Sequence, residues 1–291
     1  MTRFIAESLD LSRLPAPQVI RDLSYETILA ERVTRLAGEL TAAGIPWDVG
    51  SLETDPLKIL EEVDAFRELL DLARINDAAK AVLLPYAEGA DLDVLGTLFG
   101  ASRLMGEVDE RYRRRIALAP EAYTTAGSAG AYAYHALSVS PAIVDVGVTS
   151  PATGVVRVVV LTDEDPGNGT SPALVAAVRA RLLADDVRPL TDHVVVQAAQ
   201  VTPYAIRVRI AVPAGPDPTL IAASARTALQ TLAADSHRVG LALDVSQIAG
   251  AAWSPSARRI EVLEPVAGVA GDPLCAPWCT GVTVSMEVAD G

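Results

Sequence analysis

The hydrophobic period of this 291-residue chain changes near residue 121. Before that point apolar residues recur every three or four positions, the spacing of one helix face. After it, Val-rich runs alternate with short helical stretches. A chain in that order is neither one uniform bundle nor one continuous sheet. It reads as α+β, with an arm and helical region over 1–120, a first small α+β domain over 121–200 and a second over 201–291. Hydrophobic residues make up 50% of the chain and aromatic ones only 4%, so the cores must be aliphatic.

The helical region has recognisable starts and stops. "LSRLPAPQVI" is extended, because Pro15 and Pro17 block a helix and bias the residues before them. Ser24 is a helix N-cap, followed by Tyr25, Ile28, Leu29, Leu36 and Leu40 at helical spacing. Gly44 and Pro46 end that helix. A second begins near Asp55, with Pro56 at its first position. Along it Ile59, Val63, Phe66, Leu70 and Ala73 form a seam stepping by 4, 3, 4 and 3. Such a seam is either the core face of an ordinary helix or a surface for helices of partner subunits. A short third helix carries Leu92, Leu95 and Leu98 or Phe99, between Gly89 and Gly100, the latter a C-cap.

Beyond 121, "AIVDVGVTS" and "GVVRVVVLT" read as a hairpin. A helix opened by Ser171 and Pro172 and the strand "HVVVQAAQ" complete a β-β-α-β order. "YAIRVRIAVP", the helices "DPTLIAASARTALQTLAAD" and "DVSQIAGAAW", and the strands "RRIEVLEP" and "GVTVSMEVA" give β-α-α-β-β. The two modules are alike in scale without an evident sequence repeat.

The chemistry-bearing patterns are few. There is no HExxH, no phosphate-binding GxxxxGK[ST], no GxGxxG after a strand and no GxSxG elbow. Adjacent acids such as Glu61/Glu62 and Asp185/Asp186 point to different helix faces and make poor acid–base pairs. Asp163, Glu164, Asp165 and Asn168 lack the alternation and distal Glu of a calcium loop. Cys275 and Cys279 bracket "APW"; with His135, His193 and His237 scattered, they read as thiols beside Trp278 rather than half a zinc site. No enzyme activity, metal, cofactor or small-molecule substrate is expected. The acidic balance, 37 Asp+Glu against 24 Lys+Arg, disfavours nucleic acid and anionic membranes. No apolar run approaches the roughly eighteen residues of a membrane span, and "MTRFIAESLD" does not read as a secretory signal.

One basic run stands against that balance, "DERYRRRI" at 109–116. On a helix Asp109 reaches Arg113 and Glu110 reaches Arg114, in the favourable orientation. Val108, Tyr112 and Ile116 form an apolar stripe. Arg111 and Arg115 are left free on one face, a weak phosphate footprint that suits a carboxylate-bearing protein surface equally well.

The order of "GADLDVLGTLFGASR", "DERYRRRI" and "AGSAGAYAYHA" resembles the signature region of the baseplate J proteins of contractile-tailed bacteriophages. The residues that carry it are Asp91, Leu95, Gly96, Gly100, Arg103, Asp109, Arg113, Arg115, Ile116, Gly127, Gly130 and Tyr132. "LDLSRLPAPQVIRDLSYETILAER" resembles the family's arm and first helix. "SPALVAAVRARLLADDVRPLTDHVVVQAAQVTPYAI" is similar to its central domain, and "WCTGVTVS" to its last strand. The resemblance implies a structural subunit of the baseplate wedge in the virion tail, assembled in the bacterial host cytoplasm. Implied partners are a second copy, a baseplate protein I-like subunit, a lysozyme-like wedge component and the tail hub or spike. It also implies a ring that rearranges when the sheath contracts, in a phage or a related injection system. Two other classes compete. A tail-associated cell-wall hydrolase needs two well-placed carboxylates or a metal. A nucleic-acid module needs Arg111, Arg114 and Arg115 free to meet phosphates.

Overall fold

The computed structural model describes residues 23–47, 53–124, 126–163, 169–213 and 217–288. The extended arm at 11–20 and most of the acidic loop after Asp163 lie outside them. Among the described residues, 23–98 forms one compact unit and 99–288 another.

The first unit is helical. Helix α1 (Tyr25–Ala42) starts at Ser24, whose hydroxyl accepts from the Thr27 amide at 3.3 Å. Helix α2 (Pro56–Ala81) starts at Asp55, which accepts from the amides of Leu57 and Lys58 at 3.0 and 3.1 Å. Pro56 occupies the first turn, where its missing N–H costs nothing. The two helices pack together. Arg32 of α1 meets Glu61 at 2.7 Å, Glu68 at 3.0 Å and Asp64 at 3.3 Å, a row of acids along one side of α2. The closest packing is thin. α1 buries no residue completely, and α2 buries only Ala65 and Asn76. Helix α3 (Gly89–Leu98) follows, with Gly100 beyond its end at φ +66°, the left-handed conformation that suits a helix stop.

The second unit begins with helix α4 (Asp109–Leu118), which the sequence reading grouped with the N-terminal helices. A 3-10 turn over Ala119–Tyr123 leads to helix α5 (Ala129–Leu137). This helix is additional to the β-β-α-β order read from the sequence. Every residue from Gly130 to Leu137 is buried, so the helix is covered all round and has no polar face for a periodicity to reveal.

Within α5, His135 is buried, with Nδ1 3.4 Å from the Arg181 guanidinium. Burial, and then the charge of Arg181, push its pKa below the usual histidine range. The folded chain therefore holds this proton less tightly than the unfolded chain does. The unfolded state gains the proton first as pH falls through about 6.5, and stability drops with it. Between pH 7.5 and 5.5 the thermal midpoint of the natural chain is expected to fall further than that of His135→Gln.

Strands β1 (Ile143–Ala152) and β2 (Val155–Thr162) form the expected hairpin, turning at Thr153–Gly154 with Gly154 at φ +73°. Helix α6 (Pro172–Leu182) starts at Ser171, and strand β3 (His193–Ala198) returns parallel to β2. After Ala199 the chain continues directly as strand β4 (Gln200–Val212), the centre of a second sheet. Helices α7 (Pro218–Ser236) and α8 (Val245–Ala251) precede strands β5 (Arg259–Glu264) and β6 (Cys275–Val288). The sheet orders are β1-β2-β3 and β5-β4-β6. Both element orders read from the sequence are observed, and the fold is α+β with N-terminal helices.

The second sheet's core is Ile206, Val208 and Ile210 of β4, Leu229 of α7 and Ile248 of α8. A smaller cluster of Val159, Leu161, Ala199, Val239 and Ala276 joins the two sheets. Buried Asp145 accepts from the Val239 amide there at 2.8 Å. A Cβ at Gly147 would stand 2.5 Å from Cγ1 of Val239, so the close approach requires glycine.

Candidate interaction surfaces

The "DERYRRRI" helix turns its arginines inward. Glu107, just before α4, is buried, with no side-chain exposure. Arg115 holds it with two nitrogens, Nε to Oε1 at 3.1 Å and Nη2 to Oε2 at 2.7 Å. Arg111 forms a second ion pair with Oε1, and the Leu104 amide donates to Oε2 at 3.0 Å. Burial opposes the ionisation of Glu107, but Arg115, the Leu104 amide and Arg111 outweigh it and hold the carboxyl below its usual range.

The remaining donors of these arginines are also used. Arg111 donates to the carbonyls of Leu137 and Ser140, both at 2.7 Å, and of Ile143 at 3.0 Å. Arg115 donates to the Ser102 carbonyl at 2.5 Å. The expectation that Arg111 and Arg115 are free is therefore corrected: they are the two most buried arginines of the run, 13% and 3% exposed in their side chains. Glu107 was missed. A signal for it lies in the spacing, since 107, 111 and 115 step by four, although Glu107 itself lies before the helix.

The other charges extend this junction. Arg103 meets Asp109 at 2.6 Å and lies 4.6 Å from the centre of the Tyr112 ring. Tyr112 donates to the Ala101 carbonyl at 2.5 Å, and Ile116 is 1% exposed. Arg113 meets Glu110 at 2.9 Å, and Arg114 approaches Asp145 at 3.9 Å. Asp145 is the residue that receives the Val239 amide, so α4 is tied through β1 to the second sheet's module.

The "AGSAGAY" residues gather at another corner. Ser128 accepts from the Ala131 amide at 3.1 Å and donates to Glu121 at 2.9 Å. Gly130 leaves room for Glu121; a Cβ there would lie 2.6 Å from its Cγ. Gly127, at φ +73°, faces Pro189 and Asp192, and Tyr132 donates to Asp192 at 2.9 Å. Burial, then the Asp192 carboxylate, push the Tyr132 hydroxyl well above its usual range. Asp91, Leu95 and Gly96 sit on α3 in the first unit, exposed, half-buried and buried respectively.

Cys275 and Cys279 are both half-buried on β6. Four residues of strand separate their Cα atoms by about 13 Å, beyond the roughly 7 Å limit of a disulfide. Trp278 packs edge-on against His237 at 4.8 Å. No group of three metal-ligating residues occurs among the described residues. No helix among them is long and apolar enough to cross a membrane.

The most conspicuous free surface is on α2. Its most covered row runs through Ala65, Leu69, Leu72 and Asn76. The seam read from the sequence lies elsewhere on the helix. Ile59 is 44% exposed, Val63 56%, Phe66 55% and Leu70 44%, and neighbouring Leu60 is 61% exposed. Ala73, at the seam's end, is half-buried. The described residues leave one turn-by-turn apolar stripe exposed along this 26-residue helix.

The described residues thus form an aliphatic α+β chain with thin helical packing, arginines paired within the chain and an exposed apolar stripe on α2. Its family follows from comparison with known proteins. Residues 53–108 match the Baseplate J-like N-terminal domain, and 124–198 match the Baseplate J-like central domain. The chain is 36% identical over 294 aligned residues to Baseplate protein J of Escherichia phage P2, covering 94% of this chain and 95% of that protein. The chain belongs to the baseplate J family.

Proposed function

We propose that this chain is a non-enzymatic structural subunit of the wedge of a contractile-tail baseplate. It resides in the virion tail and assembles in the host cytoplasm. The observation that carries the reading is the uncovered stripe of Ile59, Leu60, Val63, Phe66 and Leu70 on α2. Fully burying such a side chain contributes about 1.5–3 kcal/mol, so the stripe is a docking face for partner helices. The family relationship supplies the setting. The partner helices belong to a second copy and to the baseplate protein I-like subunit; a lysozyme-like wedge component and the central hub complete the neighbourhood. The second unit, with its arginine junction joining α4 to both sheets, moves as a stiff piece when the ring rearranges on sheath contraction.

Coexpression tests this directly. The chain, the I-like subunit and the lysozyme-like component are expected to co-elute as one complex of fixed ratio. A chain that elutes as a monomer in the presence of both contradicts the proposal.

A further inference from the structure

The turn that leads into α4 breaks local preference at two places, and both breaks expose apolar side chains. Val108 is the N-cap of α4 and has no side-chain oxygen to offer the first-turn amides. Valine is among the poorest residues at that position, where Ser, Thr, Asp and Asn stabilise a helix. The chain follows that preference elsewhere: Ser24, Asp55, Ser128, Ser171, Asp217 and Asp244 start α1, α2, α5, α6, α7 and α8. Burial does not explain Val108, which is 66% exposed. Three residues earlier Met105 is 96% exposed, the most of any large apolar side chain among the described residues.

Met105 does not sit on a loose loop. The Glu107 amide donates to the Leu104 carbonyl at 3.0 Å, and Gly106 supplies φ +78° at the third position, so 104–107 is a tight turn. The Leu104 amide donates back to the buried Glu107 carboxylate at 3.0 Å, and Arg103 donates to the Glu107 carbonyl at 3.0 Å. The second position of such a turn is not restricted to apolar residues, so the backbone does not call for methionine. Braced in this way, Met105 brings a pre-ordered backbone to a contact, which lowers the cost of binding. Its unbranched thioether fits irregular apolar surfaces. The charge that reaches solvent beside it is acidic. Glu110, in the first turn of α4, has a side chain 77% exposed, whereas Arg113 and Arg103, which pair with Glu110 and Asp109, are 18% and 22% exposed.

We infer that Met105 and Val108 form an apolar knob that docks into a socket on a different protein of the assembly, a socket lined by apolar side chains and rimmed by Lys or Arg. Charge selects that occupant over a second copy, since a chain of net charge −13 meets an acidic rim with repulsion. The inference rests on the assembly reading for the presence of neighbours. It adds a contact on the second unit to the α2 stripe on the first.

Photo-cross-linking identifies the neighbour. The chain is made with benzoylphenylalanine in place of Met105, incorporated into tails and irradiated. The expected product joins this chain to a different tail protein, at apolar residues next to Lys or Arg. A double variant, Met105→Ser with Val108→Ser, supplies the second readout. Serine is the better N-cap, so the isolated variant should melt at or above the midpoint of the natural chain. Expressed at equal level with the natural chain, it should nonetheless enter tails about tenfold less or worse, the effect of losing one well-buried anchor. The inference is overturned by the absence of a cross-linked product, by a product within this chain or with a second copy only, by equal entry into tails, or by a lowered melting midpoint of the isolated variant. If it fails while the natural chain is still found in tails, the assembly reading stands. If the natural chain is absent from tails, both fall.

Discussion

Glu107→Ala is expected to destabilise the second unit by about 3–5 kcal/mol, the range for breaking a buried ion pair from one side. The carboxylate has no exposure and serves two arginines and one backbone amide. Removing it leaves Arg115, 3% exposed, without its counter-charge and weakens the hold on Arg111. Arg111 also carries the carbonyls of Leu137, Ser140 and Ile143, so the loss spreads to the end of α5 and the start of β1. A urea titration checks this: the midpoint should fall by a large fraction of its value, because whole domains are stable by only about 5–15 kcal/mol. Arg74→Ala is the control. It removes an exposed pair with Asp71 on α2 and should cost less than about 1 kcal/mol. Equal midpoints for the two variants would show that the Glu107 junction contributes nothing special.

Val63→Asp combined with Phe66→Asp is expected to do the opposite. Both side chains are more than half exposed, so the isolated chain should keep its circular dichroism and shift its midpoint by less than about 1 kcal/mol. The complex with partner subunits should be lost, because docking would bury two unpaired carboxylates at several kcal/mol each. Unfolding of the isolated variant would instead place the stripe in this chain's own core. The two experiments thus separate a residue that holds the chain together from residues that hold chains to one another.

Much of this was legible in the sequence because local chemistry and long-range structure agree. Ser24, Asp55–Pro56 and Ser171–Pro172 each supply a cap and a start, and each begins a helix. The Val runs of β1 and β2 fold on a turn with glycine in the left-handed region. The 59–70 seam was legible as apolar and periodic, but periodicity alone does not say what covers it. Two features were hidden. α5 is buried on every side, so "AGAYAYHAL" lacks the polar face that marks an amphipathic helix. Glu107 precedes its helix, and pairing within "DERYRRRI" accounted for its acids without it. The structure instead sends Arg111 and Arg115 to an acid outside the run and to carbonyls up to 32 residues away. The nucleic-acid reading loses its basis for the same reason, since two of its three arginines are buried against this chain.

Complementation checks whether this chain is a structural subunit whose α2 stripe joins it to the baseplate. Cells carrying the tail genes without this one are supplied with the natural chain or with Val63→Asp, Phe66→Asp, and their particles are viewed by negative-stain electron microscopy. Tails with complete baseplates are expected from the natural chain. None are expected from the variant, although the variant accumulates as folded protein. Complete baseplates built with the variant, or without the chain at all, would contradict it.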